Sequence, residues 1–237
     1  MKSKANYYTK ENNEFFAELL RAEAEKIRAG ARPVVTISHE NNKMGAVASV
    51  SLLPFLTCPA SCASTCGKMC YAAKMAIQHG RGKGATVARS WAKNTAMAIY
   101  LPAHFWMDVE RAIMAARFFR FHVSGDILNA AYFEKMVEIA AHNPHCEIMA
   151  FTKKYDIVNA FIDAGGVIPE NLHILFSGWE NLTPENPHAL PETNVFDETR
   201  PPRDEWKICG GNCFECACRG VGCWQAKRGD VIAFKAH

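Results

Sequence analysis

Apolar residues recur along this chain at two periods, and the change from one to the other marks out its elements. From Glu11 to Arg28, Phe15, Phe16, Leu19, Leu20 and Ile27 fall at helical spacing with charges between them, and Gly30 follows as a stop. The pattern predicts an amphipathic helix packed on the outside of the domain. Arg32-Pro33 then opens Val34-Val35-Thr36-Ile37-Ser38, a short strand signal. After the polar turn Asn41-Asn42-Lys43-Met44-Gly45, the run Ala46 to Leu53 is small and apolar on both faces until Pro54. Such a run suits a strand buried on both sides, as in a parallel sheet. Thr86 to Tyr100 reads as a helix, and residues 103–117 as a second with Phe105, Val109, Ile113 and Met114 inward.

From Phe118 the alternation is clean. Strands over Phe118–Val123, Glu147–Phe151 and Leu172–Phe176 are separated by helices over Tyr132–Ala141 and Ile157–Ala164. Strand–helix–strand alternation with short loops implies βαβ units, a parallel sheet and right-handed connections. Residues 183–206 carry Pro184, Pro187, Pro191, Pro201 and Pro202 and read as an extended excursion with one short strand near Val195. A final short strand is expected over Val231–Phe234. At 237 residues the chain can bury one sizeable core, so a single domain over 1–237 is expected. Its parts are an N-terminal helix (1–30), an α/β body (31–180), and an extended segment with a cysteine-rich end (181–237).

The cysteines change the picture. Thr57-Cys58-Pro59-Ala60-Ser61-Cys62-Ala63-Ser64-Thr65-Cys66-Gly67-Lys68-Met69-Cys70-Tyr71 holds four at a spacing of four, directly after the first long strand. Cys209, Cys213, Cys216, Cys218 and Cys223 form a second group, and Cys146 stands alone among the ten. In one continuous helix Cys58 and Cys70 would be about 18 Å apart, too far for one ion or cluster. Either the segment is partly looped, which Pro59 and Gly67 favour, or only three of its four cysteines are ligands. Cys213-x2-Cys216 is the tight chelating step used by zinc ribbons and by iron–sulfur sites. Cys209-x3-Cys213-x2-Cys216 has the spacing of the radical-SAM cluster motif, but Glu215 stands where an aromatic residue is usual. Cys62-x3-Cys66-x3-Cys70 has the right place in the chain and is one residue too long.

Composition narrows the chemistry. Apolar residues make up 49% and charged residues 22%, the balance of a globular chain, and a formal charge of +3 is too small to argue for nucleic acid by itself. The polar start Met1-Lys2-Ser3-Lys4-Ala5-Asn6 lacks the apolar core of a signal peptide, and no apolar run is long enough to span a membrane. A cytoplasmic chain is therefore expected, and in a reducing compartment clustered cysteines point to metal rather than to disulfides.

Sites in parallel α/β folds gather at the C-terminal ends of strands. The cysteine loop, Ser124-Gly125-Asp126, Thr152-Lys153-Lys154 and Ser177-Gly178-Trp179-Glu180 all follow predicted strands and would line one rim. Asp126 and Lys153 are the candidate catalytic residues, although Asp126 also suits a helix cap and a lysine after a strand is commonplace. His122 reads equally as a core histidine. His79-Gly80-Arg81-Gly82-Lys83-Gly84, ahead of a helix, reads as a solvated loop or an anion-holding one. Trp91, Trp179 and Trp224 read as core residues before they read as cofactor platforms.

These residues together resemble the phage "gene product 88" family. The shared features are Asn42-Lys43-Met44-Gly45, Thr57-Cys58-Pro59, Cys66-x3-Cys70-Tyr71-Ala72, Asn94, Phe121-His122-Val123-Ser124-Gly125-Asp126 and Ala150-Phe151-Thr152-Lys153. Cys223-Trp224, Ile232-Ala233-Phe234 and His237 complete them, and the resemblance runs from about residue 40 to the end. It implies Cys58, Cys66 and Cys70 as one triad with Cys62 as an extra, and a second cysteine site near the C-terminus whose spacing departs from the family's around Cys218. The family is similar to radical-SAM-type proteins, which implies a partial (β/α) TIM-type barrel of parallel strands over 31–180.

Two functions compete at this point. In the first, a [4Fe–4S] cluster on the cysteine loop leaves one iron open for S-adenosylmethionine, and the C-terminal cysteines hold an auxiliary cluster. Ser124, Gly125, Ser177 and Asn94 would then bind the cofactor, for a substrate that the sequence does not name. In the second, two zinc sites are structural and the protein binds nucleic acid or a partner, a reading favoured by the basic stretch Lys74 to Lys93 and by the family's setting in phages and mobile elements.

Overall fold

The computed structural model describes residues 6–41, 43–78 and 86–235. Helix α1 (Lys10–Arg28) starts where the Thr9 side chain accepts from the Asn12 amide, and it buries Phe16, Ala24 and Ile27. Strands β1 (Ile37–Ser38) and β2 (Ala48–Val50) are shorter than their apolar runs. The reason lies in side chains that take over the backbone's hydrogen bonds. The Val35 amide donates to Asp108 Oδ2, Thr36 to Asn94 Oδ1 and Leu53 to Thr95 Oγ1.

Helices α2 (Tyr71–Gln78), α3 (Thr86–Tyr100) and α4 (Pro102–Met114) precede β3 (Phe118–Phe121). Then α5 (Ala130–His142), β4 (Glu147–Thr152), α6 (Tyr155–Asp163) and β5 (Leu172–Ser177) alternate as expected. Strands β6 (Glu192–Phe196) and β7 (Lys207–Ile208), helix α7 (Cys213–Arg219) and strand β8 (Val231–Lys235) complete the chain. The eight strands form one sheet in the order β1-β2-β3-β4-β5-β6-β8-β7. All neighbours are parallel except β1 with β2. The exception follows from length, because the short connection between β1 and β2 cannot make a crossover.

The α/β body with its mostly parallel sheet is present as expected. Among the described residues the sheet is open, with β1 at one edge and β7 at the other. Its strands are nevertheless buried on both faces, as continuous apolar runs require. On one face Val50, Phe119, Phe121, Ile148, Ala150, Ile174 and Phe176 pack with α3–α6. On the other, Phe118, Met149, Leu175 and Ile232 pack under residues 209–226, including Phe214 and Trp224. Fully burying each large apolar side chain contributes about 1.5–3 kcal/mol. The cysteine-rich segment thus covers the sheet face that the helices leave bare.

Candidate functional site

The cysteine loop leaves β2 at Pro54 and folds into two short 3-10 turns, Ala60–Ala63 and Cys66–Met69, before α2 begins. Gly67 lets the second turn close on the first: a Cβ there would stand 2.4 Å from the Cys62 carbonyl oxygen and 2.8 Å from the Tyr8 ring. Tyr8 and Phe16 hold the loop from outside through Phe55, with ring centroids 4.8 and 5.7 Å away. The segment is looped, as the length argument requires. Cys62 is buried, Cys58, Cys66 and Cys70 are half-buried, and the sulfurs of Cys62 and Cys66 stand 3.5 Å apart. The Ala73 amide, in the first turn of α2, points at the Cys70 sulfur from 3.5 Å.

A chain of hydrogen bonds ties this loop to the strand ends. The Thr57 hydroxyl donates to Leu53 O at 2.8 Å and accepts from the Asp126 backbone N–H at 3.0 Å. The Asp126 carboxylate accepts from the Thr152 hydroxyl at 2.6 Å, from the Lys153 amide at 2.9 Å and from the Ile127 amide at 2.8 Å. The Lys153 ammonium donates to Ser177 Oγ, and the Tyr155 hydroxyl to Ser177 O, both at 2.5 Å. The ends of β2, β3, β4 and β5 are therefore joined along one rim. Gly125, at φ 81°, is what allows β3 to approach the loop, since a Cβ there would lie 2.6 Å from Thr57 Oγ1.

Electrostatics distinguish the thiols. Hydrogen bonding to Cys58 first, then to Cys66, and then burial raise the pKa of Cys62, which keeps its proton in the bond it shares with Cys66. That hydrogen bond, with the Lys153 ammonium nearby, lowers Cys66 to about 6. Burial pushes Cys70 up to about 12. Asp126 is raised by burial despite its three hydrogen bonds. His122, whose Nε2 meets the Tyr132 hydroxyl at 3.1 Å, is lowered to about 3 by burial and is neutral.

The second group lies on the sheet face opposite the helices. Cys209, Cys213, Cys216 and Cys223 pack in the cluster around Phe118 and Trp224. Trp224 Nε1 donates to Cys213 O at 2.9 Å, the Phe214 amide to Met44 O at 2.9 Å, and the Gly211 amide to Cys209 Sγ at 3.4 Å. Cys218 is exposed and outside that cluster. Helical geometry accounts for this: Cys213 and Cys216 share a face of α7, while Cys218, two residues on, is turned about 200° from Cys216. Burial pushes Cys223 up to about 12 and raises Cys213 and Cys216. Arg120, over the Phe151 ring at 4.5 Å, opposes that rise at Cys213 and Cys223. Tyr71, whose hydroxyl donates to Val123 O, feels Cys70 and Cys58 from one group and Cys213 from the other. It marks where the two groups come near each other.

Of the expected site residues, Asp126, Lys153 and Ser177 are linked by hydrogen bonds, Gly125 lies against Thr57 of the cysteine loop, and Cys62 and Cys66 are in contact. Ser124 is buried beside them, and its hydroxyl has no hydrogen-bond partner among the described residues. Asn94 does not join them. Its side chain accepts from the Thr36 amide at 2.8 Å and donates to Thr36 O at 2.9 Å and Ser51 O at 3.1 Å, so its polar atoms are engaged in clasping the chain on either side of β1 and β2. Asp126, expected as a catalyst, is 4% exposed with both carboxylate oxygens engaged, the geometry of a residue that positions others. Trp91 and Trp224 are core residues. His79 to Gly84, Asn42 and His237 lie outside the described residues.

Sequence reading gave no role of their own to Thr57, Tyr155, Tyr71 and Arg120. Thr57 carried a signal, a hydroxyl residue one step before the first cysteine; Arg120 carried another, a charge inside an apolar strand. Among the described residues no group of three or more His, Cys, Asp or Glu side chains is placed to hold a metal ion. The thiols are gathered without being drawn onto a single point. A cleft of about 320 Å³, lined by His39, Ala46, Ala112, Arg117, Phe118 and Phe214, opens at the other end of β2 and β3, away from the loop thiols. No helix of the described residues is long and apolar enough to cross a membrane. The family model described as Gene product 88 matches residues 9–229. No curated protein and no solved structure matches the chain.

Proposed function

The chain belongs to the gene product 88 family, and we propose that its cysteine loop holds a [4Fe–4S] cluster on Cys58, Cys66 and Cys70, in a protein of radical-SAM-like type. The observation that carries this reading is the placement of those thiols at the end of β2, against the hydrogen-bonded rim of Asp126, Lys153 and Ser177. We read the sequential parallel order β2-β3-β4-β5-β6 as the strand order of a partial (β/α) barrel. The donor set suits the group: thiolates are the usual ligands of iron–sulfur clusters, and the buried Ser124 hydroxyl, without a protein partner, is left for a bound molecule.

Bound there with S-adenosylmethionine on its open iron, such a cluster would supply one-electron reduction and radical chemistry. The chain's own contributions are binding and placement. Lys153 sets a positive charge beside Cys66, which offsets the charge of a thiolate in a half-buried site. Ser177 holds the Lys153 ammonium, Asp126 fixes the backbone of Lys153, and Thr57 fixes the loop to Asp126. Tyr8 and Phe16 pack on Phe55 of the loop from its outer side. We assign Cys209, Cys213, Cys216 and Cys223 to an auxiliary centre that pins the C-terminal segment to the sheet, and leave Cys218 out of it. The substrate, small or macromolecular, is unassigned.

Anaerobic purification with iron, zinc and sulfide analysis tests the reading. Iron with matching sulfide, an absorption band that dithionite bleaches, and an electron paramagnetic resonance signal altered by S-adenosylmethionine are expected. Zinc without sulfide would overturn it in favour of structural zinc sites and a nucleic-acid or protein partner, for which the 3.5 Å separation of Cys62 and Cys66 also suits two thiolates on one zinc.

A further inference from the structure

Cys62 is the one loop cysteine that the proposed triad does not use, yet it is the most deeply buried of the four, at 3% exposure. Its sulfur lies 3.5 Å from that of Cys66. Both residues sit in 3-10 turns closed by backbone hydrogen bonds, Cys62 N–H to Pro59 O at 3.0 Å in the first and Cys70 N–H to Gly67 O at 3.3 Å in the second. A sulfur–sulfur bond is about 2.05 Å long, so the pair has to close by only about 1.5 Å. We propose that Cys62 and Cys66 are a redox-active dithiol that a small-molecule disulfide of the glutathione class converts to an intramolecular disulfide.

The difference in exposure sets the order of events. Cys66, half-buried, meets the small disulfide first. Its sulfur, having released its proton to solvent, attacks one sulfur of the reagent; that S–S bond breaks, and the departing thiolate takes up a proton. The resulting mixed disulfide stands next to Cys62, which loses its proton, attacks the Cys66 sulfur and expels the second small thiol. Two electrons have passed from the protein sulfurs to the reagent, and a dithiol reductant reverses both exchanges. Gly67 packs against the Cys62 carbonyl, which keeps the two turns together around the pair.

One consequence rests on the proposed ligand role of Cys66. With its sulfur tied to Cys62, the loop offers Cys58 and Cys70 alone, and cluster loading waits on reduction. The bond itself does not depend on that role.

The test treats the full chain, freed of metal by a chelator, with oxidised glutathione under anaerobic conditions, followed by thiol alkylation and intact-mass and fragment-ion mapping. Loss of two thiols with no adduct, mapped to Cys62–Cys66, is expected, along with full recovery after dithiothreitol. Cys62→Ser should instead retain one glutathione on Cys66, and Cys58→Ser should still form the bond. A pairing of Cys58 with Cys62, or unmodified loop cysteines in the wild-type chain, would overturn the proposal. Reconstitution with iron and sulfide separates this from the functional reading. Cys62→Ser loads as wild type if Cys66 is a ligand and Cys62 is not, and if wild type takes up no iron the cluster assignment falls while the disulfide result stands.

Discussion

Thr57 and Asp126, sixty-nine positions apart, meet where the Asp126 backbone N–H donates to the Thr57 hydroxyl at 3.0 Å. The same hydroxyl donates to Leu53 O, so one oxygen joins the cysteine loop to the end of β3. Thr57→Val keeps the shape and leaves both backbone groups unpaired, and it should lower the unfolding free energy by about 1–3 kcal/mol. Thr57→Ser restores the hydroxyl and should recover most of the loss. Urea denaturation of the pair decides it; equal losses would assign the effect to packing.

Gly125→Ala meets two costs at once. Its φ of 81° disfavours a side chain, and the added methyl would stand 2.6 Å from Thr57 Oγ1 and 2.8 Å from Leu52 Cβ. Each cost is about 1–3 kcal/mol, so a loss of at least about 2 kcal/mol is expected in the same experiment.

Acid should act through His122. Its folded-state pKa of about 3 lies below the ordinary 6.5, so the buried neutral ring contributes stability above pH 6.5 that is lost as pH falls toward 3. At about 1.4 kcal/mol per pH unit the full span amounts to about 5 kcal/mol. His122→Gln should flatten this part of the stability-versus-pH curve, measured by denaturation at stepped pH. An unchanged slope would place the acid sensitivity elsewhere.

Asp126 has the opposite sign. Burial raises its pKa, so the folded state favours the protonated carboxyl; that contribution is complete below the unfolded value near 4 and is lost as pH rises through the raised one. Asp126→Asn should therefore gain ground on wild type as pH rises above about 4. If the variant instead loses ground across that range, the ionised carboxylate is the favoured form and its three hydrogen bonds outweigh burial.

Metal content should separate the C-terminal cysteines. Cys218→Ser is expected to match wild type, whereas Cys213→Ser should lose about half of the bound metal, one centre of two. Loss in Cys218→Ser would return that residue to the ligand set.

Much of this was legible along the chain because it depends on neighbours in sequence. The runs at Phe118–Phe121, Glu147–Thr152 and Leu172–Ser177 fix strands buried on both faces, and strand direction then places Asp126, Lys153 and Ser177 at one rim. Helix α7 was not read from the sequence, although Asn212 caps it, with Glu215 three residues on and Gly220 after it. What was illegible depends on partners far away. No local pattern says that Phe214 and Trp224 will cover Phe118, that Asn94 will spend its amide on Thr36 and Ser51, or that β8 will enter the sheet between β6 and β7.

The position of β8 also governs the order in which the molecule can be completed during synthesis. Strands β6 and β7 leave the ribosome with no hydrogen bond between them, because the strand that joins them is made after both. Until residues 231–235 emerge, the edges of β6 and β7 that β8 will pair stay open in the nascent chain. The last of these three strands to be translated is thus the one that joins the other two into the sheet.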